Sequence, residues 1–391
     1  MLAAAFVSTA QSSGSRQEQW KKRSADSERV GLAEPYKGIT TNGTPVAGLF
    51  PVRSTGVSTE PVRKAADAFL KALSGEQRSK STFPVDDDEW RKWMNQHFYI
   101  RQGVSFLEMT DTQRDAAFSL LGASLSAKGL KLSRDIMHLN QTLGELNNND
   151  FEQYGEGRYY ITIMGKPSAT EPWGWQIDGH HLIVNYFVLG DQVVMTPAFY
   201  GSEPVIATSG KYKGTSILQS EQADGLALLM ALNDDQRKKA VLSFSKTGNN
   251  NLTEAFKDNV VLDYAGLPVS QMTAAQKKQV LSLIDLYISN EDTGHARVKM
   301  DEVRQHLDQT WFAWIGGSEE KAGVYYYRIH SPVVLIEFDH QLPVGIRQLV
   351  PNPTLPFHDH IHVVVRTPNG NDYGKDLLRQ HHETYPHKAA D

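Results

Sequence analysis

The sequence predicts an α+β protein built as a tandem internal duplication, each half a helical layer plus a small antiparallel β-sheet, related by a pseudo-twofold. Three observations predict it. Apolar residues recur at helical spacing as far as Leu125 and then form strand-like runs from Tyr159 to Tyr200. They return to helical spacing between Gln222 and Tyr287 and become strand-like again from Tyr325. Blocks of sequence also recur in the same order, as a duplicated unit requires. Finally, 391 residues with 40% hydrophobic and 22% charged side chains are enough for two ordinary soluble units with a sizeable core.

The recurring blocks are specific. Gly103-Val-Ser-Phe-Leu-Glu-Met-Thr-Asp-Thr-Gln113 lies on Gly266-Leu-Pro-Val-Ser-Gln-Met-Thr-Ala-Ala-Gln276, and Ala72-Leu-Ser-Gly-Glu-Gln-Arg78 on Ala231-Leu-Asn-Asp-Asp-Gln-Arg237. Trp173–Ile177 lies on Tyr325–Ile329, Leu182–Tyr186 on Val334–Phe338, and Val193–Pro197 on Val364–Pro368.

Taken in order, residues 1–57 read as a signal remnant followed by an extended or disordered arm. Met1 to Gln11 is apolar and then small, like the end of a secretory signal, although no basic stretch precedes it. An unstructured tail is the alternative. Pro45, Gly48 and Pro51 argue against a long helix in this arm. Residues 58–205 form the first repeat. Val62, Ala65, Ala66, Phe69, Leu70 and Leu73 give an amphipathic helix closing near Gly75, Asp86–Trp90 an acidic helix start, and Thr110–Gln113 the start of another helix. Tyr159–Met164, Trp173–Leu189 and Gln192–Tyr200 read as strands, with Gly190-Asp191 as a tight turn. Residues 206–391 form the second repeat, with helices at 222–232, 234–243 and 274–287 and strands from Tyr325.

Where the halves differ, the second has gained ionisable groups. Asp178 becomes His330, Asn185 becomes Glu337, Phe187 becomes Asp339 and Met195 becomes Arg366; a loop from Gln341 to Phe357 with four prolines is added. In an extended His358-Asp-His-Ile-His362, alternate side chains share a face, and two imidazoles about 6.5–7 Å apart at Cα can share one divalent ion. Pairing across the proline-rich loop brings Glu337 and Asp339 near His360 and His362. With no cysteine in the chain, a metal must sit on His, Asp or Glu. The expected ligands are therefore His360, His362, Glu337 and Asp339, and the other reading of this strand is a polar, solvent-facing edge. Zn is the favoured ion, with Mn, Fe, Ni or Cu as alternatives.

Gly179-His-His-Leu182 is a second cluster. On a strand only one of the two histidines can face the site, and Asp178, His180 and Gln176 share a face, which favours His180 for the site and His181 for a hydrogen bond within the sheet. His330 and His180 are candidates for completing the shell or moving protons, and Arg366 for holding an anionic group. The aromatic residues Trp173, Trp175 and Tyr325–Tyr327 fit packing better than a ligand platform. Asp372 reads as a helix cap, and His381, His382 and His387 as solvated.

The blocks Trp173–Leu182, Tyr327–His330, Ile336–Asp339, His360–His362 and Asp372–Leu378 resemble the DUF3500 family, a family of unknown function, over roughly residues 60 to 385. The resemblance implies export, secreted or periplasmic, and so favours the signal-remnant reading. Family members have a shorter connection before His-x-His than the Gln341–Phe357 loop.

These observations together imply a metal-dependent enzyme, a hydrolase, acting on a small-molecule or saccharide substrate. A Cu or Fe redox enzyme and an exported saccharide- or anion-binding protein without metal are the alternatives. The formal charge of -5, without basic runs, speaks against a nucleic-acid partner, and no stretch approaches the ~20 apolar residues of a membrane span.

Overall fold

The computed structural model describes residues 3–319 and 323–385, with side chains from residue 15 onward. The apolar side chains of the expected signal remnant and His387 lie outside the described residues. The N-terminal arm differs from its expectation. Helix α1 (Ala3–Gly31) occupies its first part, and the prolines that argued against a helix all lie beyond it. The helix has few apolar positions, but Trp20 packs on Met94, Phe98 and Tyr99, and Ser24 accepts from Ile100 N at 3.0 Å. Residues 32–59 then run over the body, where Asp191 accepts from Thr55 N at 2.9 Å and Gly56 N at 3.0 Å.

The body follows the alternation read from the sequence. Its first half contains α2 (Glu60–Ala72), α3 (Gly75–Ser81), β1 (Thr82–Phe83), β2 (Val104–Ser105), α4 (Asp111–Ser124) and α5 (Ala127–Leu146). The strands β3 (Tyr159–Gly165), β4 (Trp173–Gly179), β5 (Leu182–Leu189), β6 (Gln192–Val194) and β7 (Ala198–Ser202) follow. Its second half contains α6 (Gln219–Met230), α7 (Asp234–Ala240), β8 (Val241–Ser243), β9 (Leu267–Pro268), α8 (Ala274–Ile288) and α9 (Thr293–Gln305). Then come β10 (Trp311–Gly316), β11 (Tyr325–His330), β12 (Leu335–His340), β13 (Ile361–Arg366) and α10 (Lys375–Thr384). The expected helix start at Asp86–Trp90 is a short 3-10 turn over Asp88–Arg91, capped by Asp87. The segment read as one strand from Gln192 to Tyr200 is broken around Pro197, which has no backbone proton to give a ladder.

Among the described residues the strands form one thirteen-stranded sheet, ordered β1-β3-β4-β5-β7-β13-β12-β11-β10-β8, so the two small sheets expected of the halves are joined through β7 and β13. Each half ends its sheet alike: β1 runs parallel to β3 at one edge and β8 parallel to β10 at the other. The helix starts match too. Thr110 caps α4 through Gln113, and Thr273 caps α8 through Gln276. Each glutamine then donates to the last turn of an earlier helix, Gln113 to Ala72 O at 2.9 Å and Gln276 to Ala231 O at 2.7 Å. Gln77 bonds Gln113 at 3.3 Å as Gln236 bonds Gln276 at 3.0 Å.

Side chains alternate along a strand, so each gives one row to either face. The apolar row packs under the helices in the main core, with Trp175, Ile177, Leu182, Val184, Val363 and Phe338 among its members. Such a core stabilises by about 25 cal/mol per Å² of apolar area removed from water. The other row holds Gln176, Asp178, Glu337, Asp339, His362 and Arg366, all buried. It is covered by loops: Gln176 donates to Trp90 O, Arg101 pairs with Asp178 at 3.0 Å, and Thr253 N donates to Glu337.

Candidate metal centre

Two elements deliver three histidines to one point. His360 and His362 stand at the start of β13, two residues apart and on one face. His181 comes from the β4–β5 hairpin, whose ends pair at Gly179 and Leu182, leaving His180-His181 as a two-residue turn. This turn overrides the strand reading of the cluster. His181 sits at φ 64°, a left-handed conformation that strands do not use, and so turns towards β13. The turn is held firmly: His181 N donates to Asn95 O at 3.1 Å, Gly201 N donates to His181 O at 2.9 Å, and the Tyr159 hydroxyl donates to His180 O at 2.9 Å. Gly179 has no room for a side chain, because a Cβ there would lie 2.1 Å from the Tyr159 ring.

The Nε2 atoms of the three rings converge. His362 Nε2 is 3.1 Å from His181 Nε2 and 3.1 Å from His360 Nε2, and His181 and His360 are 3.4 Å apart. Three nitrogens each about 2.0–2.1 Å from one tetrahedral ion stand about 3.3 Å from one another, close to these edges. Two of the rings have their tautomer fixed. His360 Nδ1 lies 2.7 Å from Leu342 O, and His362 Nδ1 lies 2.7 Å from Glu254 Oε1. A neutral imidazole that donates from Nδ1 presents a lone pair at Nε2. At most one proton, on His181, is then left for three mutual contacts, and a shared cation is what makes such a cluster favourable.

The electrostatics agree. Burial, followed by repulsion from His362 and His360, pushes His181 well below the usual imidazole range, and burial with His360 does the same to His362. Both are neutral at physiological pH, the form that ligates metal. Burial pushes the Glu254 carboxyl up to about 7. Among the described residues this trio is the group of His and carboxylate side chains whose ligand atoms lie close enough to hold one ion, and it supplies three ligands.

The other expected site residues share the polar face but not the convergence point. Asp339 lies opposite His362 in the β12–β13 ladder, as cross-loop pairing requires. Its carboxylate turns to Lys246 at 2.9 Å, Asn250 N at 2.6 Å and Gln341 Nε2 at 2.6 Å. Glu337 accepts from Leu252 N and Thr253 N at 2.9 Å each, and from the Tyr326 hydroxyl at 2.7 Å. Both carboxylates serve to tie the 246–254 loop to the sheet. Arg366 is fully buried, 2.8 Å from Asp258 and 3.2 Å from Asp372, and donates to Thr253 O at 2.8 Å. All its donors face protein groups, so it fastens the same loop. Asp372, expected to cap a helix, takes part in this ion-pair cluster and also accepts from Thr367 N. His330 stands against Tyr264, ring centres 4.6 Å apart, on the far side of β12 from the trio.

His180 lies beside the trio without joining it. Its ring stacks on His181 at 3.9 Å, and its Nδ1 lies 2.8 Å from Asn140 Oδ1. Because Asn140 Nδ2 donates to Gly155 O, the amide oxygen faces His180, which therefore donates from Nδ1. A cavity of about 100 Å³, lined by His97, His180, Arg101, Arg158 and Trp20, adjoins it. His358 is half exposed, 3.5 Å from Asp359 and stacked on His340.

Two contributors carry no motif in the sequence. Glu254 sits in a polar loop and reaches His362 from 108 residues away. Glu203 accepts from Val344 N and Gly345 N at 2.7 Å each, and so folds back the proline-rich loop whose Leu342 O orients His360. Glu-Pro recurs along the chain and Asn251-Leu-Thr-Glu254 occurs once, and neither context gives a period or spacing that could have pointed to them.

A family model described as "Protein of unknown function (DUF3500)" matches residues 55–375 of the 391. Neither the curated proteins nor the solved structures contain a match to the chain. No helix among the described residues is long and apolar enough to cross a membrane.

Proposed function

The chain belongs to the DUF3500 family, whose name assigns no reaction, and from the geometry of its histidines we propose that it is a metal-dependent hydrolase. The observation that carries the reading is the triangle of Nε2 atoms from His181, His360 and His362 with edges of 3.1, 3.1 and 3.4 Å. Zn²⁺ suits three imidazoles best, and three protein ligands leave a fourth position for water or substrate, the pattern of catalytic rather than structural sites. When bound, such an ion lowers the pKa of a coordinated water towards ~7 and polarises a substrate carbonyl or phosphoryl.

The chain's own residues do the rest. Leu342 O and Glu254 fix the Nδ1 protons of His360 and His362, which orients both rings and raises their basicity as ligands. Asn140 fixes His180 Nδ1–H and leaves its Nε2 as a hydrogen-bond acceptor beside the trio, while burial and the neighbouring His181 and His97 hold the ring well below the usual imidazole range and so keep it neutral at rest. His180 is thus the better placed of the two proton-moving candidates, since His330 lies beyond β12.

Two measurements test the reading in sequence. Elemental analysis of tag-free protein should find about one divalent ion per chain, absent from His360→Ala. Hydrolysis of chromogenic ester, phosphate and glycoside substrates should then stop with chelator and return with Zn²⁺. An ion that binds stoichiometrically while no such substrate is hydrolysed would sink the hydrolase part alone.

We also read the halves, divided near residue 205, as copies of one duplicated unit. The matched capping boxes, the Gln77–Gln113 and Gln236–Gln276 pairs and the mirrored strand order support this. So does one exchanged contact. Arg101 pairs with Asp178 in the first half, and the positions aligned with them, Tyr264 and His330, meet in the second.

A further inference from the structure

The central strand pair β7–β13 carries the histidine trio at one end. At its other end, on the helix-covered face, lies a cavity of about 50 Å³, walled by Ala198, Tyr200, Val365, Thr367 and the α8–α9 junction at Glu291. It shares Val193, Val194, Lys299, Glu302 and Asn371 with an outer chamber of about 280 Å³ that is also lined by Phe50, Val298 and Leu377.

Among the described residues, two polar groups in the inner wall have no partner. Glu291 is 5% exposed and Tyr200 1% exposed, yet Glu291 Oε1 and the Tyr200 hydroxyl make no hydrogen bond. A buried carboxylate is costly unless it is protonated or met by a cation. The cation in this wall is already engaged. Lys299 Nζ donates to Val333 O at 2.8 Å and pairs with Glu302 at 3.3 Å. The Thr196 hydroxyl donates to that of Thr367 at 2.7 Å. The wall thus offers two carboxylates against one ammonium, and what remains open is a carboxylate oxygen and a hydroxyl that can accept as well as donate.

We propose that this cavity is a second ligand site, specific for a primary alkylammonium ion. Its head would meet Glu291 and the Tyr200 oxygen, and its carbon chain would lie in the outer chamber against Phe50, Val194, Val298 and Leu377. An ammonium carries three donors on a compact head and needs only a few acceptors. An inorganic cation of the calcium type takes six to eight oxygens, more than this wall supplies. The outer chamber is mixed, with Arg53, Gln192, His295, Gln305 and His306 beside Phe50, Val194, Val298 and Leu377, and its apolar part takes a short hydrocarbon tail. The inference is independent of the hydrolase reading, because the two sites share no residue.

The test is thermal unfolding and calorimetry of the full chain in phosphate buffer with n-alkylammonium chlorides from methyl to hexyl. Matched n-alkanols and sodium chloride serve as controls. The expected result is a saturable rise in Tm that grows with chain length, is absent with the alcohols, and survives His181→Ala. Glu291→Gln, isosteric with the protonated acid, should abolish it, and Tyr200→Phe should weaken binding about tenfold, the worth of one hydrogen bond to a charged group. No saturable shift with any amine, or the same shift in Glu291→Gln, would overturn the proposal.

Discussion

Glu254 Oε1 stands 2.7 Å from Nδ1 of His362, so a carboxylate from a loop of the second half sets the face that a strand histidine shows to its neighbours. Such partners hold a ligand ring in one tautomer and strengthen it, and their loss typically costs 10–100-fold in metal affinity. Glu254→Gln should therefore keep one ion per chain but bind it about 10–100-fold more weakly, as read by competition with a chromophoric chelator. An unchanged dissociation constant would show that the pair does not tune the site.

The assignment of His181, rather than its neighbour, to the trio is open to a direct comparison. His181→Ala should lose the stoichiometric ion, as should His360→Ala and His362→Ala. His180→Ala should retain it, because its ring stacks on His181 and bonds Asn140 without entering the triangle. Equal loss from His180→Ala and His181→Ala, in folded protein, would refute the assignment.

Arg366 is predicted to matter for folding rather than for chemistry. Removing it leaves Asp258 and Asp372 facing each other in the core without their shared cation. Breaking a buried pair of this kind costs about 3–5 kcal/mol. Urea unfolding of Arg366→Met should show that loss, while metal content per folded chain stays the same.

Glu203 should act on the trio at a distance. Its carboxylate accepts from the backbone of Val344 and Gly345, and an unsatisfied buried donor costs about 1–3 kcal/mol. Glu203→Ala frees the loop that carries Leu342 O. It should lower both the stability and the metal affinity, and amide exchange at residues 342–346 should rise. Exchange that rises elsewhere but not there would count against this coupling.

Glu291 gives the stability a pH dependence of known sign. Burial pushes its carboxyl up to about 8, with Asp292 and Glu302 raising it and His295 and Lys299 opposing. It faces Tyr200, whose own hydroxyl is raised by burial and by this charge. Since the acid takes up a proton on folding, its burial costs least below about pH 4.5, and stability falls as pH rises from there towards 8. One such proton gives a slope of at most about 1.4 kcal/mol per pH unit. Glu291→Gln should remove that slope, seen as a growing advantage over wild type between pH 5 and 8.5 in urea midpoints. Parallel pH profiles would refute it.

Much of this architecture was legible in the residues. The helix starts were readable because Thr110-x-x-Gln113 and Thr273-x-x-Gln276 are local signals, satisfied within one turn whatever surrounds them. The face shared by His360, His362 and Arg366 was readable because strand alternation is fixed by the backbone. Helix α5, left without an assignment, packs through Gly129, Ser133 and Asn140 as well as Leu132, Ile136 and Leu139, and so blurs its apolar stripe. Residues 15–31 of α1 lack such a stripe, their helix being held by contacts such as Trp20 with Phe98.

The sequence by itself determined the alternation of helices and strands, the polar row along β12 and β13, and the absence of thiolates that confines any metal to His, Asp or Glu. Only the tertiary structure decided which of those polar groups meet. Periodicity assigns a side chain to a face, but whether Asp339 turns to a metal or to Lys246 depends on a loop nearly a hundred residues away. Likewise, His181 reaches His362 because a two-residue turn at φ 64° points it across the seam between β7 and β13, where two halves distant in sequence become one sheet.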